Sequence, residues 1–254
     1  MKEKIKLTLR KTRKNIIEYI ATNRLFLSYV LISILGLLLI RNFTIGNIDE
    51  IKVFSIDIAM ILIIGSFGYL FKPKNQFKYY FILITIFTIM EVINSIYYTF
   101  YYSFASLGEL ATVGQTETVM GSIYEKLKIR DLIYIIFPFI FYFIHKKLVR
   151  TTYYNFLSFV EKGKKMCVAT LLVGCLFMAY GCVFTTKTEF GRLAKRWNRV
   201  SIVEGFGLLF YQCNDVIQTL TPKLSSLFGY EEASQKFVDY FTSESIEDYR
   251  NENR

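Results

Sequence analysis

The sequence predicts an all-α membrane protein with five transmembrane helices and amphipathic helices at the interface, its N-terminus inside and its C-terminus outside. Three observations carry this. Residues of the AVILMFWYC set make up 53% of the 254 residues, aromatics 17%, and the mean hydropathy is +0.32. That apolar share falls in uninterrupted runs, which excludes disorder, and four cysteines in so long a chain exclude a disulfide scaffold. The formal net charge is nevertheless +10, and its basic residues cluster in alternate loops. A soluble nucleic-acid binder would carry that charge without the apolar runs, so no nucleic-acid partner is expected.

Residues 1–24 form a basic cytoplasmic segment. Lys2–Ile20 mixes lysine and arginine with Ile5, Leu7, Leu9, Ile16, Ile17 and Ile20, the pattern of a helix lying on lipid headgroups. A solvated basic tail is the plainer alternative. A crossing helix needs about 20 mostly apolar residues, because the hydrocarbon core is about 30 Å thick. Within a transmembrane domain over 25–184, five stretches qualify: Leu25–Phe43, Val53–Phe71, Tyr79–Tyr98, Asp131–His145 and Met166–Phe184. Inside lipid each backbone group must pair within its own segment, so all five are expected to be helical. The first reads as an uncleaved signal-anchor, since its apolar run is long and no A-x-A site follows. The fourth is the shortest, wholly apolar only over Leu132–Ile144 with Pro138 in its middle. Lys146 and Lys147 can snorkel to extend it.

Charge sets the orientation. Lys2, Lys4, Lys6, Arg10, Lys11, Arg13, Lys14 and Arg24, with Lys72, Lys74, Lys78, Lys146, Lys147, Arg150, Lys162, Lys164 and Lys165, put 17 basic residues on one side. Arg41, Lys52, Lys126, Lys128 and Arg130 put 5 on the other. The positive-inside rule places the first set in the cytoplasm and the tail beyond residue 184 outside, in a multi-pass cell-membrane protein.

Between the third and fourth spans, residues 99–128 are too polar to cross and too apolar for a loose loop. Phe104, Leu107, Leu110, Ala111, Val113 and Met120 sit among Gly108, Gly114 and Gly121, as in an interfacial or re-entrant outer segment. Residues 185–228 read as extracytoplasmic juxtamembrane helices. In Glu189–Arg199, Phe190, Leu193, Ala194 and Trp197 follow the i, i+3, i+4, i+7 spacing, and Trp197 suits a headgroup-level membrane anchor. A second amphipathic stretch covers Ile202–Leu220 and stops before Pro222. Residues 229–254 carry Glu231, Glu232, Asp239, Glu244, Glu247, Asp248 and Glu252, and read as an acidic linker.

Little in the chain can do chemistry. His145 is the single histidine, so His-paired metal sites and most Ser-His-Asp arrangements are out, and an interfacial polar role suits it. No Walker A, GxSxG, HExxH or GxGxxG motif occurs. No catalytic residue, metal ligand or cofactor is expected in this chain. Cys167, Cys175 and Cys182 fall on roughly one stripe of the fifth span with Gly174 and Gly181, a small-residue stripe of the kind that packs helices closely. Cys182 and Cys213 are both placed outside and could pair, though the spacing does not demand it. Glu91 and Asn94 are the informative polar residues, because a carboxylate within a span normally faces a bundle interior or cavity. Asp57 lies near the outer end of the second span, where simple exposure would satisfy it. Tyr97, Tyr98, Tyr101 and Tyr102 follow Asn94 and form an outer aromatic belt or, alternatively, the wall of a lipid-headgroup pocket.

These residues resemble a known family. Asn94-Ser95-Ile96-Tyr97-Tyr98, running through Phe104 to Thr112-Val113-Gly114-Gln115 and on to Asp131-Leu132-Ile133-Tyr134, is similar to the membrane domain of lipoteichoic acid synthase-type enzymes. Gly207 to Val216 resembles the family's juxtamembrane G-x-x-x-[YF]-x-x-x-D segment, matched by Gly207, Tyr211 and Asp215. The resemblance covers Leu25 to about Phe241. It departs at Thr99, where some relatives carry a basic residue, and at Gln212, where relatives can carry histidine. What it implies is an extracytoplasmic phosphoglycerol transferase of Gram-positive-type bacteria. Such enzymes move glycerol phosphate from phosphatidylglycerol onto a teichoic acid polymer on a glycolipid anchor. In the family that chemistry belongs to a sulfatase-like domain with a threonine nucleophile and manganese, following the linker. Here the chain stops short of that domain, as a truncated enzyme or as a membrane-only relative.

The expected function is therefore membrane anchoring and lipid-substrate positioning in cell-wall polymer synthesis. Two other classes compete. Glu91, Asn94 and Asp57 at membrane depth suit a small transporter or channel subunit, and the amphipathic 189–220 region suits a scaffold for a separately encoded envelope enzyme. For the first reading, Glu91, Asn94, Tyr98 and Tyr101 share one helix face, with Tyr97 and Tyr102 beside it. That face is expected to turn inward beneath residues 104–124 and meet Gly207–Asp215, with Arg130, Arg192, Lys195 or Arg196 supplying charge for a phosphodiester.

Overall fold

A computed structural model describes residues 23–46, 51–108, 128–149, 159–195 and 198–221. The basic segment up to residue 22, most of the outer segment (109–127), Trp197 and the acidic linker lie outside the described residues. All regular structure among the described residues is helical. The helices are α1 (Arg24–Thr44), α2 (Ile51–Ser66, extended by a 3₁₀ turn, Phe67–Leu70), α3 (Pro73–Tyr101), α4 (Ile129–Leu132), α5 (Ile136–Val149), α6 (Phe159–Val183), α7 (Lys187–Lys195), α8 (Arg199–Phe206) and α9 (208–221). Four of them are long and apolar enough to cross a membrane, over Arg24–Thr44, Ile51–Leu70, Asn75–Tyr101 and Gly163–Val183. The chain is a multi-pass membrane protein.

The segment expected as the fourth span is not one helix. It runs as α4, a 3₁₀ turn (Ile133–Ile135) and α5. Pro138 explains the break. It has no N–H to give the carbonyl four residues back, and a proline is tolerated only in the first turn of a helix. Accordingly α5 begins two residues before it. The carbonyl that Pro138 cannot reach is that of Tyr134; the Ile136 amide donates to it, and so does the Thr88 hydroxyl on α3 at 3.5 Å. A neighbouring helix thus answers a backbone group that lipid could not.

The spans pack by stripes legible in their residue types. On α1 the buried face is Leu25, Phe26, Tyr29, Ile32, Ser33, Gly36, Leu37 and Ile40. On α3 it is Gln76, Tyr80, Ile84, Phe87, Thr88, Glu91, Asn94 and Ser95, growing more polar toward the Asn94 end. α6 lies against α2, and glycine sets the distance. A Cβ on Gly174 would press on Ile63 and the Ala59 carbonyl, and one on Gly181 would press on Ile56. Cys167 is buried on this stripe, whereas Cys175 is exposed, so the expected cysteine stripe is a glycine stripe with one cysteine in it. All four cysteines are free. The opposite face of α6, with Val168, Leu172, Leu176 and Val183, is exposed as a lipid-facing surface would be.

At the Tyr80 end the spans close on one another through phenols. The hydroxyls of Tyr29, Tyr79 and Tyr80 donate to the carbonyls of Ile61 (3.1 Å), Ile64 (2.7 Å) and Gly65 (3.2 Å), where α2 tightens into its 3₁₀ turn. Tyr29 and Tyr80 stack at 4.9 Å, and Phe26 packs on Tyr69 at 5.1 Å. His145, near the end of α5, lies on Phe77 with ring centroids 3.7 Å apart.

Candidate functional site

The Asn94 end is built differently. α3 ends at Tyr102, whose φ of 51° puts it in the left-handed region while its N–H donates to the Tyr98 carbonyl. A non-glycine residue there carries a cost, but the turn sends the chain back along α3. Phe104, Ala105 and Ser106 are consequently buried. Asn94 meets this returning segment, its Oδ1 accepting from the Ala105 amide at 3.0 Å.

The tail closes over the same segment. Gln212 on α9 donates to both Asn94 Oδ1 (3.2 Å) and the Ala105 carbonyl (3.1 Å), and the Tyr211 hydroxyl donates to that carbonyl at 3.3 Å. Asp215, 3% exposed, accepts from the Ser106 hydroxyl (2.8 Å) and the Leu107 amide (2.7 Å). Arg199 Nη1 donates to the Phe104 carbonyl at 3.3 Å. The tail thereby takes up the Phe104 and Ala105 carbonyls and the Leu107 amide, backbone groups that a membrane boundary would otherwise strand.

Asp57 holds the other end of α9. It is 6% exposed, not satisfied by exposure as its position in the sequence suggested. Its Oδ1 accepts from the Leu209 amide at 3.4 Å, at the helix N-terminus where unpaired amides and the helix dipole favour a carboxylate. Gly207 makes room: its φ is +86°, and a Cβ there would collide with the Asp57 carboxylate. The same glycine splits the amphipathic stretch expected over 202–220 into α8 and α9. Asn198 divides the stretch before it, capping α8 by accepting from the Ser201 amide at 3.2 Å.

α7 is fastened by a capping box. Glu189 accepts from the Thr186 amide (2.7 Å) and hydroxyl (2.9 Å), while Thr186 Oγ1 accepts from the Glu189 amide at 3.3 Å. Lys52 at the start of α2 reaches Glu189 at 2.6 Å. Burial alone would raise the Glu189 carboxyl, but Lys52 and Thr186 outweigh it and hold it below its ordinary value. Phe190 of α7 packs on Phe206 of α8 at 5.4 Å.

The remaining expected site residues divide into two groups. Glu91 is buried, 1% exposed, but it faces α1 at Gly36 and not the tail. Tyr98 packs on Phe104 at 5.4 Å, and Tyr97 on Tyr101 at 4.6 Å, while Tyr101 and Tyr102 are exposed. Arg130 lies 3.8 Å from Asp131, whose carboxylate accepts from the Ser95 hydroxyl at 2.7 Å and the Lys128 amide at 3.0 Å. The recess beside the tail, lined by Ser106, Arg199, Ile202, Tyr211, Asn214 and Asp215, measures about 40 Å³, room for a water but not a headgroup. Among the described residues no three His, Cys, Asp or Glu side chains gather as a metal site.

A model of the lipoteichoic acid synthase N-terminal domain matches residues 1–226. The chain belongs to this family. The match runs past Asp215, so the docked tail is part of the lipoteichoic acid synthase N-terminal domain and not an appendage to it. No curated protein and no solved structure matches the chain. Sequence reasoning had Asn94, Gly207, Tyr211 and Asp215 in this site, but missed Gln212 as a linker, Ser106 and the Asp57 cap. The Gly207 break had a signal, a glycine in mid-stretch, and so did Thr186-x-x-Glu189.

Proposed function

We propose that this lipoteichoic acid synthase-family chain anchors a phosphoglycerol transferase in a bacterial membrane and positions its lipid substrate. The observation that carries this reading is the docked tail. Asn94, Ala105, Gln212 and Asp215 fix α9 on one end of the bundle, so whatever follows residue 221 starts from a set height and direction. With the basic loops in the cytoplasm, that end is the outer face, five segments cross, and the exposed Tyr101 and Tyr102 stand at headgroup level. The lipid would be phosphatidylglycerol or a glycolipid anchor in a Gram-positive-type membrane. The manganese-dependent transfer would belong to a sulfatase-like domain after the linker.

Two measurements test this. Protein extracted into nanodiscs of mixed lipids should retain phosphatidylglycerol over phosphatidylcholine, and Arg130→Ala should reduce that preference. Equal retention of the two lipids would overturn the positioning role. Turnover of phosphatidylglycerol with manganese by these 254 residues alone would overturn the division of labour.

A further inference from the structure

α7 carries a glycine that its packing does not explain. Gly36, Gly65, Gly68, Gly174 and Gly181 each face a neighbour that a Cβ would press into, and Gly46 and Gly207 have positive φ. Gly191 has neither reason. It lies inside a helix, and among the described residues nothing comes within 4 Å of where its Cβ would stand. Glycine is a poor residue for a helix interior, so it needs a different reason there. Its own side of the helix supplies one. Lys187 and Lys195 stand four residues before and after Gly191, and Thr188 three before it. Arg192 stands four after Thr188 and three before Lys195. Residues so spaced are neighbours on a helix surface, and all four are exposed around this bare strip of backbone.

The other side of α7 is occupied by protein. Phe190 packs on Phe206, Leu193 joins the core, and Glu189, the one acid of α7, is taken up by Lys52 and Thr186. The basic face therefore looks away from the bundle. It also stands at the height where a bilayer carries its phosphates. α6 ends at Val183 and α2 begins at Ile51, with Gly181 against Ser55 and Ile56, so the two spans finish at one level. Lys52, one residue into α2, reaches Glu189 at 2.6 Å and holds α7 there. At the end of α6, Tyr180 and Phe184 are exposed with ring centroids 4.9 Å apart, an aromatic pair suited to the border between lipid tails and headgroups. Cations at that height attract phosphodiesters, and a helix with no side chain between them lets the phosphate oxygens come close.

We propose that the Gly191 face of α7 binds the phosphodiester of an anionic lipid, with Lys187, Thr188, Arg192 and Lys195 as its contacts. A lipid held there need not be a substrate, so the site stands whether or not the lipid-positioning role does.

The test uses the whole chain and its single tryptophan, Trp197, two residues past the end of α7. The protein is reconstituted into phosphatidylcholine bilayers containing either brominated phosphatidylglycerol or brominated phosphatidylcholine, and quenching of Trp197 fluorescence reports the lipids beside α7. Phosphatidylglycerol is expected to occupy this position several-fold more readily at equal mole fraction. The combined Lys187→Gln, Arg192→Gln and Lys195→Gln variant should show no preference. Gly191→Ala separates a shaped site from loose attraction. Alanine favours a helix and fits the open space, so this variant folds at least as well, yet its preference is expected to fall several-fold. Equal quenching by the two lipids in the unmodified protein, no quenching by either, or a preference untouched by Gly191→Ala overturns the proposal. Arg130→Ala should leave the Trp197 preference unchanged, and its loss there would overturn the assignment to α7. Because nanodisc retention reads the whole chain and Trp197 reads the surroundings of α7, either role can fail without the other.

Discussion

At the Tyr80 end of the bundle the phenols of Tyr29, Tyr79 and Tyr80 each answer a backbone carbonyl of a neighbouring span, and that of Tyr69 answers Asn23. At the Asn94 end carboxylates and amides answer a returning segment and a helix more than a hundred residues away. Tyr79 and Tyr80 reach back only 15 residues to their carbonyls, whereas Asp215 reaches 108 residues to Leu107. The difference separates two kinds of completeness. The first end is finished by the spans alone. The second is finished only when the tail is docked, because 104–107 would otherwise keep stranded amides and carbonyls at the edge of the lipid.

That contrast can be broken from either end. The largest effect is expected from Asp215→Ala, which leaves the Ser106 hydroxyl and Leu107 amide unpaired and should weaken tail docking by about 3 kcal/mol. Amide exchange over 208–221 should accelerate while the Tyr80 end keeps its protection; a uniform loss across both ends would dissolve the distinction. Gly207→Ala forces a Cβ into a left-handed residue and against Asp57, at about 2 kcal/mol, again read as faster exchange in α9. Combined with Asp57→Ala it should cost less than the sum of the two, since both act on one contact. Tyr80→Phe, which strands the Gly65 carbonyl, should lower thermal stability by about 1 kcal/mol and leave α9 exchange unchanged.

The smallest effect concerns α7. Lys52→Ala should cost about 0.5 kcal/mol, because the ion pair is partly solvated. The folded Glu189 carboxyl sits below its ordinary value of 4.5, so its contribution is complete above that pH and fades as pH falls through the folded value. The protection of the α7 amides, measured relative to intrinsic exchange at each pH, should therefore fall on acidification, and less steeply in Lys52→Ala. An α7 that is equally protected on both sides of this window would show that the capping box adds nothing to docking.

Much of this was legible in the residues. Of the α3 face read from spacing, Glu91 and Asn94 turn inward, as a carboxylate in a span had to, whereas Tyr101 is exposed. The motif carrying Gly207, Tyr211 and Asp215 pointed at the docked helix. What could not be read were contacts whose other partner is backbone or is distant in sequence. Asp57 looked like an exposed end-of-span aspartate because Leu209 is 152 residues away. The phenols of Tyr29, Tyr79 and Tyr80 looked like ordinary aromatics because a carbonyl leaves no mark in a sequence. The broken fourth segment was half legible. Pro138 announced a lost hydrogen bond, but not that Thr88 would supply another.

The anchors of α9 have a mechanical consequence. Leu209, Gln212 and Asp215 are three residues apart along one helix, about 4.5 Å of rise between successive anchors, and each is fastened to a different part of the bundle. A pull exerted on residue 221 by anything attached beyond it reaches Asp215 first, then Gln212, and Leu209 last. The bonds meet the load in turn, so the helix peels instead of shearing away whole. Such a pull loosens α9 before it loads the contacts among α1, α2 and α3.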